Sequence, residues 1–304
     1  MGTIPTPSPA ETLVQLVLRA HHIELVQHAE DWHALGAIAA RMLFWCGGAI
    51  YACRCAGDEM RFALQLVHAP LGTIAHQIAG AYATRLRKTR HLSGAIFKHY
   101  GVIPLGDAVF LDELVFWLHR AAEPATPLGG AKTANGAHVW TAETAYLQPH
   151  TLPWINTDRV LTSLSVGAPG PATYRRRKPE PLSPSVLEYF TRRPKYALPQ
   201  QHRDRAHRES RPDIVTIVRA VADHCQVSYE DMLGDTRKRS VSRARVIATV
   251  LATRNGATAA AAARLFSRSR STLIEQVEYY RATQPGIFAE AESSLEAFLA
   301  ESRE

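Results

Sequence analysis

The sequence predicts an α+β domain in the N-terminal half and an all-α domain in the C-terminal third. Before residue 120, short apolar runs are interspersed with amphipathic segments whose apolar residues recur every three or four positions. From residue 211 to about residue 282 the pattern is helical only, and it includes a helix-turn-helix signature. The length of 304 residues is enough for about two domains with separate cores.

The N-terminal elements follow the order β-α-β-β-α-β, which is typical of a ferredoxin-like fold. The predicted strands are residues 22–27, 49–55, 59–67 and 97–104, and the predicted helices between them are residues 30–44 and 71–88. Gly57 and Asp58 form the turn between the two central strands. A third helix over residues 107–119 follows, with Gly106 and Asp107 as start signals.

Composition divides the chain into five predicted segments. They are a disordered leader (1–12), a first domain with a trailing segment that wraps around it (13–172), a basic and mostly extended linker (173–210), a helical domain (211–282) and an acidic tail (283–304). From residue 286 this tail is expected to be either a short amphipathic helix or frayed. The trailing segment is rich in Gly, Pro and Thr, and Trp140 and Trp154 are its predicted core anchors.

The positive charge is confined to one region of the chain. Residues 175–282 contain 22 Lys and Arg against 11 Asp and Glu, whereas residues 1–125 contain 10 of each. Such an asymmetry indicates a polyanionic partner. Within the linker, Arg175, Arg176, Arg177 and Lys178 are predicted to contact phosphates without reading sequence.

The helix-turn-helix is predicted from residues 258–265, a corner at Phe266 and Ser267, and a second helix over residues 269–280. Two basic clusters, RKRSVSRAR and SRSRST, flank it, which indicates binding to double-stranded DNA. Ser271 and Thr272 could instead serve only as helix caps. The predicted DNA-binding residues are Arg237, Lys238, Arg239, Arg243, Arg245, Arg268, Arg270, Ser271 and Thr272.

The sequence favours neither a metal site nor a membrane protein. The four cysteines form no CxxC pair, so we expect reduced cysteines, no metal and no cofactor. The N-terminus lacks the basic and apolar regions of a secretory signal. No apolar run approaches the roughly 20 residues of a membrane span, so we expect a cytoplasmic protein.

Three stretches within residues 20–165 resemble the REP-associated tyrosine transposases, which are single-tyrosine relatives of the HUH nucleases. They are IYACRCAGDEMRFALQL, HLSGAIFKHYGVIPLGDAVFLDELVFWLHR and HVWTAETAYLQPHTLPWINTDRVL. The resemblance implies a transposase-type domain that processes single-stranded DNA. However, Glu59 and Arg61 stand where the family has its pair of metal-binding histidines, and Trp117 stands where it has the nucleophilic tyrosine. Indole has no hydroxyl to attack a phosphodiester, so these positions are expected to be vestigial.

The helical domain resembles the DNA-binding domain of the bacterial replication initiator DnaA. DIVTIVRAVADHCQVSYEDMLGDTRKRSVSRARVIATVLA and ARLFSRSRSTLIEQV carry this resemblance. It implies that Arg237 lies in a basic loop facing phosphates and the minor groove, that Arg245 follows in the next helix, and that the base-reading start of the recognition helix begins at Arg270. Ser269, Arg270 and Val246 depart from the initiator's signature, so the preferred DNA sequence is expected to differ.

The leading hypothesis is a DNA-binding protein derived from a transposase, catalytically inert and located on the bacterial nucleoid. Its partner is double-stranded DNA, and the N-terminal domain could also hold hairpin or single-stranded DNA or form a homodimer. One alternative is an active single-strand nuclease with a remodelled metal site and a displaced tyrosine such as Tyr82 or Tyr100. Another is a regulator of replication or transcription that competes for initiator-type boxes.

Overall fold

A computed structural model describes residues 12–67, 71–105, 111–120, 130–132, 138–148, 151–165, 169–191 and 212–301. The chain divides into two compact units, Met1–Pro199 and Gln200–Glu304. The first is a mixed α/β unit built on an antiparallel sheet, and the second is helical in all its regular elements. Within the described ranges, no helix combines the length and apolar character that crossing a membrane requires.

The sheet of the first unit contains six described strands in the order β4-β1-β3-β2-β6-β5. All neighbouring strands are antiparallel. Their bounds are β1 Thr12–Ala20, β2 Ala49–Ala56, β3 Glu59–Leu66, β4 Phe97–Pro104, β5 Gly130–Lys132 and β6 His138–Thr141. Strands β2, β3 and β4 lie where the sequence predicts them, to within a residue at each end.

Helices cover both faces of this sheet. The first unit contains α1 Ala29–Phe44, α2 Leu71–Arg90, α3 Leu111–Arg120, α4 Glu143–Leu147, α5 Asp158–Leu164, α6 Gly170–Arg177 and α7 Pro184–Thr191. Helix α2 lies on the face that carries Tyr100, because His76 contacts that ring at 5.4 Å between centroids. Helix α3 lies on the opposite face, where Trp117 packs under the guanidinium of Arg61.

The predicted first strand, residues 22–27, is wrong. The strand is β1, whose sequence TLVQLVLRA is buried at almost every position, and residues 22–27 form a connection. Because β1 is covered on both faces, it has a continuous apolar run and lacks the alternation expected of a half-exposed strand. The predicted leader is also one residue too long, since Thr12 begins β1, and residues 1–11 lie outside the described part of the chain.

The segment after α3 extends the sheet and packs on α1. Strands β5 and β6 lie beside β2, and the Trp140 ring stacks on Trp32 with centroids 6.2 Å apart. Trp154 contacts Trp32 edge-on at 5.4 Å. It lies so close to Gly36 that a Cβ there would be 2.1 Å from the indole. The two predicted anchors therefore share one aromatic cluster with Trp32.

The predicted extended linker contains two helices. Residues 170–177 form α6 and residues 184–191 form α7, and Tyr174 and Phe190 are completely buried. Short helices gain most of their stability from tertiary packing, so their local sequence signals are weak. The prolines and charges of this stretch therefore led to the prediction of an extended linker. The rest of the predicted linker, residues 192–210, lies outside the described part of the chain.

Among the described residues of the second unit, six helices are present, and five of them pack around a buried central one. They are α8 Ile214–His224, α9 Tyr229–Leu233, α10 Arg239–Arg254, α11 Ala259–Leu265, α12 Arg270–Thr283 and α13 Gly286–Glu301. Helix α10 contacts each of the others and is buried along most of its length. The side chains of Asp213, Ser228, Thr258 and Ser269 cap α8, α9, α11 and α12, each accepting from the backbone N–H three residues on.

Of the two alternatives for the acidic C-terminal segment, the structure has the amphipathic helix, α13, over residues 286–301. Its apolar face buries Ile287, Phe288 and Leu295 against α8 and α10. Arg254 Nη1 also donates to Glu292 Oε2 at 2.6 Å. Its apolar residues are spaced by three and four positions, which is typical of a packed amphipathic helix.

Candidate nucleic-acid interface

The helix-turn-helix is formed by α11 and α12, and it confirms the predicted elements. Phe266 is completely buried in the corner and ends the first helix. Ser267 adopts a left-handed conformation with φ 50°, which turns the chain sharply. Ser269 then caps α12 by accepting from the N–H of Thr272 at 3.0 Å.

The start of α12 presents a cationic and hydroxyl-rich surface. Arg270, Ser271 and Thr272 are exposed. Ser269 Oγ lies 2.9 Å from Ser271 Oγ and 2.7 Å from Thr272 Oγ1. Because Ser269 is the cap, the alternative that Ser271 or Thr272 fills that role is wrong. The first-turn N–H groups and the positive end of the helix dipole favour an anion here.

The loop before α10 provides the second basic cluster. Arg237, Lys238 and Arg239 are exposed, and none of their side chains forms a hydrogen bond or ion pair with a described residue. They lie at a helix N-terminus, where positive charge is unfavourable for the helix dipole. This arrangement gives no stability to the helix, so it indicates a role in binding an anionic partner.

Arg245 is placed differently from the prediction. Its side chain is inside the unit, and the whole residue is 2% exposed. Its N–H groups donate to four carbonyls, which are Met232 O at 2.8 Å, Thr236 O at 2.7 Å, Asp231 O at 2.6 Å and Gly234 O at 2.6 Å. Burial, and then the nearby charge of Arg268, lower its pKa. We therefore reassign Arg245 from DNA contact to holding the loop in shape.

Arg268 connects the loop to the helix-turn-helix. Its Nη1 atom donates to Asp235 Oδ1 at 3.1 Å, and its side chain is 23% exposed. Arg243, another predicted contact, is half-buried, and its Nε atom has no hydrogen-bond partner among the described residues. Arg268 thus fixes the distance between the basic loop and the start of α12.

A cleft of about 390 Å³ lies between the basic loop before α10 and helix α12. Its lining includes residues from both basic clusters, which are about thirty residues apart in the sequence. Four of its residues were not predicted, namely Thr236, Ser242, Leu273 and Gln276. Gln276 lies one turn after Thr272 on the same face of α12, so the spacing of four residues could have revealed it. The cleft is lined by Thr236, Arg237, Ser242, Arg245, Arg268, Thr272, Leu273 and Gln276.

In the first unit, the three predicted vestigial positions lie together. Arg61 Nε donates to Glu59 Oε1 at 2.5 Å, and Arg61 Cζ lies 5.1 Å from the centre of the Trp117 ring. Arg19 Nε also donates to Glu59, at 3.1 Å. Burial alone would raise the pKa of Glu59, but the hydrogen bonds from Arg61 and Arg19 outweigh it and lower that pKa. No group of three His, Cys, Asp or Glu side chains that could hold a metal ion occurs in the described ranges.

The basic run of the predicted linker divides into two pairs. Arg175 and Arg176 are exposed on α6. Arg177 lies over the Phe116 ring at 5.4 Å and is 3.8 Å from Glu180. Lys178 Nζ is 2.5 Å from the carboxylate of Glu143, which is buried. Arg177 and Lys178 are therefore engaged within the fold, whereas Arg175 and Arg176 are exposed. The one hydrogen bond that this first pair forms with a described residue is long, from Arg175 Nη2 to Leu147 O at 3.4 Å.

Residues 214–279 match the family model described as the bacterial dnaA protein helix-turn-helix. The match covers α8 to α11 and most of α12, so it includes both basic clusters and the cleft between them. Helix α13 lies beyond it. No curated protein matches the chain. The second unit therefore contains a DnaA-type helix-turn-helix domain, a class of domain that binds DNA.

Proposed function

We propose that this protein binds double-stranded DNA in a sequence-dependent way through residues 214–279. The observation that carries this proposal is the cleft that brings the basic loop and the exposed start of α12 together. Helix-turn-helix domains place the start of their second helix in the major groove. The loop at Arg237 to Arg239 would then follow the neighbouring phosphates.

The exposed residues divide into two roles. Arg270 is suited to bidentate contact with guanine O6 and N7, which discriminates by about 1–3 kcal/mol. Ser271, Thr272 and Gln276 contribute hydroxyl and amide groups along the same helix face. Arg237, Lys238 and Arg239 neutralise phosphates and so supply affinity that depends on salt. The departures from the initiator at Ser269, Arg270 and Val246 support a target distinct from the initiator's own box.

We further propose that the first unit derives from a REP-associated transposase and no longer cuts DNA. The strand order β4-β1-β3-β2 and the two helices α1 and α2 are those expected of a ferredoxin-like core. Glu59, Arg61 and Trp117 meet in space, as residues at one former active site should. An ion pair and a cation–π contact now occupy that position, and neither can supply a nucleophile.

The alternative of an active nuclease with a displaced tyrosine has less support. Tyr100 pairs with Leu18 and lies on the sheet face opposite Arg61. Tyr82 donates to Leu25 O at 2.7 Å, and burial raises its pKa. A buried phenol with a raised pKa is a poor nucleophile. The other alternative, a regulator of replication or transcription at initiator-type boxes, requires only the duplex binding proposed above.

Covalent capture on hairpin-forming single-stranded DNA, with Mg²⁺ or Mn²⁺ present, tests the loss of cutting. We expect no protein–DNA adduct from the full chain under any of these conditions. An adduct that maps to a tyrosine would overturn the inert assignment. The same assay with duplex DNA should show reversible binding without cleavage.

Changing Arg175 and Arg176 together to glutamine is expected to reduce the salt dependence of duplex binding. If both contact phosphates, the slope of log K against log salt should fall by about 2. The preferred sequence should stay the same, since phosphate contacts carry no base information. Filter binding over a salt series measures the slope. The matched control is Lys88→Gln with Lys98→Gln, two exposed charges elsewhere on the same unit, and an equal effect from this pair would contradict the assignment.

A further inference from the structure

A row of polar side chains crosses the sheet face that α3 covers. Arg54 of β2 pairs with Arg61 of β3 on one side and with Thr141 of β6 on the other. Directly paired residues of antiparallel strands project to the same face and lie about 5 Å apart at Cβ. The next row brings Arg19 opposite Glu59. Three guanidinium groups and one carboxylate therefore share this part of the face.

The single carboxylate is already committed. Glu59 accepts from both Arg61 and Arg19. Arg54 is half-buried, and it forms no hydrogen bond or ion pair with any described residue. Its Nε atom is inaccessible to solvent and unpaired. Two cations opposite each other on neighbouring strands destabilise a sheet. The carboxylate of Glu59 offsets only part of this cost, since it pairs with Arg61 and Arg19 and forms no ion pair with Arg54.

The hydroxyl of Thr141, beside Arg54, is also buried without a hydrogen-bond partner in the described ranges. Thr141 is 1% exposed, and its Oγ1 atom has no hydrogen-bond partner among the described residues. A buried polar group without a partner costs about 1–3 kcal/mol. Gln15, one row further along the same face, is completely buried with both ends of its amide unpaired. Gln15, Arg54 and Thr141 thus leave unsatisfied polar atoms on the same face of the sheet.

We propose that Arg54, Arg61 and Thr141 form a binding site for a phosphate group. An oxyanion would accept from the unpaired Arg54 Nε and from the Thr141 hydroxyl, and it would separate the two opposed positive charges. A phosphate carries up to two negative charges and presents oxygens in several directions, so it suits the opposed guanidinium groups of Arg54 and Arg61 together with a neighbouring hydroxyl. Burial, and then the charge of Arg61, lower the pKa of Arg54, and the opposing charge of Glu59 does not compensate for them.

The phosphate could belong to a single-stranded DNA backbone or to a free phosphate compound. The site lies in the first unit and uses none of residues 214–279, so it does not depend on duplex binding by the helix-turn-helix. It replaces the metal expected at this place in a transposase with direct recognition by guanidinium groups. The first unit would then hold an anionic ligand without cutting it.

The five tryptophans all lie in the first unit, so their fluorescence reports on that unit within the full chain. The test is tryptophan-detected melting of the full chain as inorganic phosphate replaces chloride at constant ionic strength. We expect a saturable rise in Tm. Arg54→Met should raise the Tm without phosphate, because it removes the unpaired cation, and should abolish the response to phosphate.

Thr141→Val keeps the shape of the side chain and removes the hydroxyl, so it should fold normally and weaken phosphate binding roughly tenfold. Lys98→Gln removes one exposed charge from β4 and should keep the full response. An unchanged response in both Arg54→Met and Thr141→Val, or no saturable response in the unchanged protein, would overturn the site. If Arg54→Met fails to fold, the response of Thr141→Val decides.

A single-stranded oligonucleotide in place of inorganic phosphate identifies the source. If the oligonucleotide raises the Tm at a lower concentration of phosphate groups than inorganic phosphate requires, the site is supported and is assigned to a DNA strand. A rise with inorganic phosphate alone supports the site and assigns it to a free phosphate compound. No rise with either ligand contradicts the proposal.

Discussion

Arg245→Met is expected to lower the free energy of unfolding of α9 and α10 by about 3–5 kcal/mol, because the change leaves buried carbonyls without their donors. The guanidinium holds four carbonyls between Asp231 and Thr236, and these residues shape the loop that presents Arg237. Duplex binding should be lost as a consequence. Arg245→Lys should not restore it, since an ammonium cannot reproduce the planar fork.

Amide hydrogen exchange on the full chain measures this effect locally, in peptides that cover α9 and α10. The matched control is Arg243→Met, on the same helix, whose side chain is half-buried and forms no hydrogen bond with a described residue. It should change protection by less than about 1 kcal/mol. If Arg245 contacted DNA directly, its variant would instead lose duplex binding while the amides of α9 and α10 kept their protection against hydrogen exchange.

Arg270→Ala should weaken binding to the preferred duplex by about 1–3 kcal/mol and should relax the choice of base at one position. The residue is exposed at the first position of α12, next to the capping Ser269, so its replacement leaves the fold intact. Binding to random duplex should fall only by the loss of one phosphate contact. Fluorescence anisotropy at a fixed salt concentration measures both affinities.

The control for Arg270 is Arg264→Ala. Arg264 is also exposed, but it lies near the end of α11 and not at the start of α12. Its replacement should reduce both affinities slightly and equally. The interpretation of Arg270 would be contradicted if the two variants behaved alike.

Local signals in the sequence were sufficient for the helix-turn-helix. Thr258 and Ser269 are strong caps, and each lies directly before a helix in the structure. The strand β1 was missed, and the helix α13 was predicted only as one of two possibilities, for a shared reason. Both depend on partners distant in the sequence, β1 on strands that flank it and α13 on the surface of α8 and α10.

The role of Arg245 could not be inferred from its neighbours. It stands in the basic run RKRSVSRAR, and composition cannot separate an arginine that faces inward from those that face solvent. Only the helix geometry decides whether Arg245 faces inward. Val241, Ala244 and Ala248 are buried, and they define a buried face of α10 next to Arg245. The meeting of Glu59, Arg61 and Trp117 was expected from a resemblance. The unpaired state of Arg54, by contrast, depends on strand pairing that the sequence does not specify.

Sequence-dependent duplex binding is the central claim, and selection from a random pool of duplexes tests it most directly. The full chain should enrich a defined sequence and bind it about a thousandfold more tightly than a scrambled duplex at the same salt concentration. Arg270→Ala should lose most of that preference while still binding DNA. Equal affinity of the unchanged protein for the enriched and the scrambled duplex would contradict the claim.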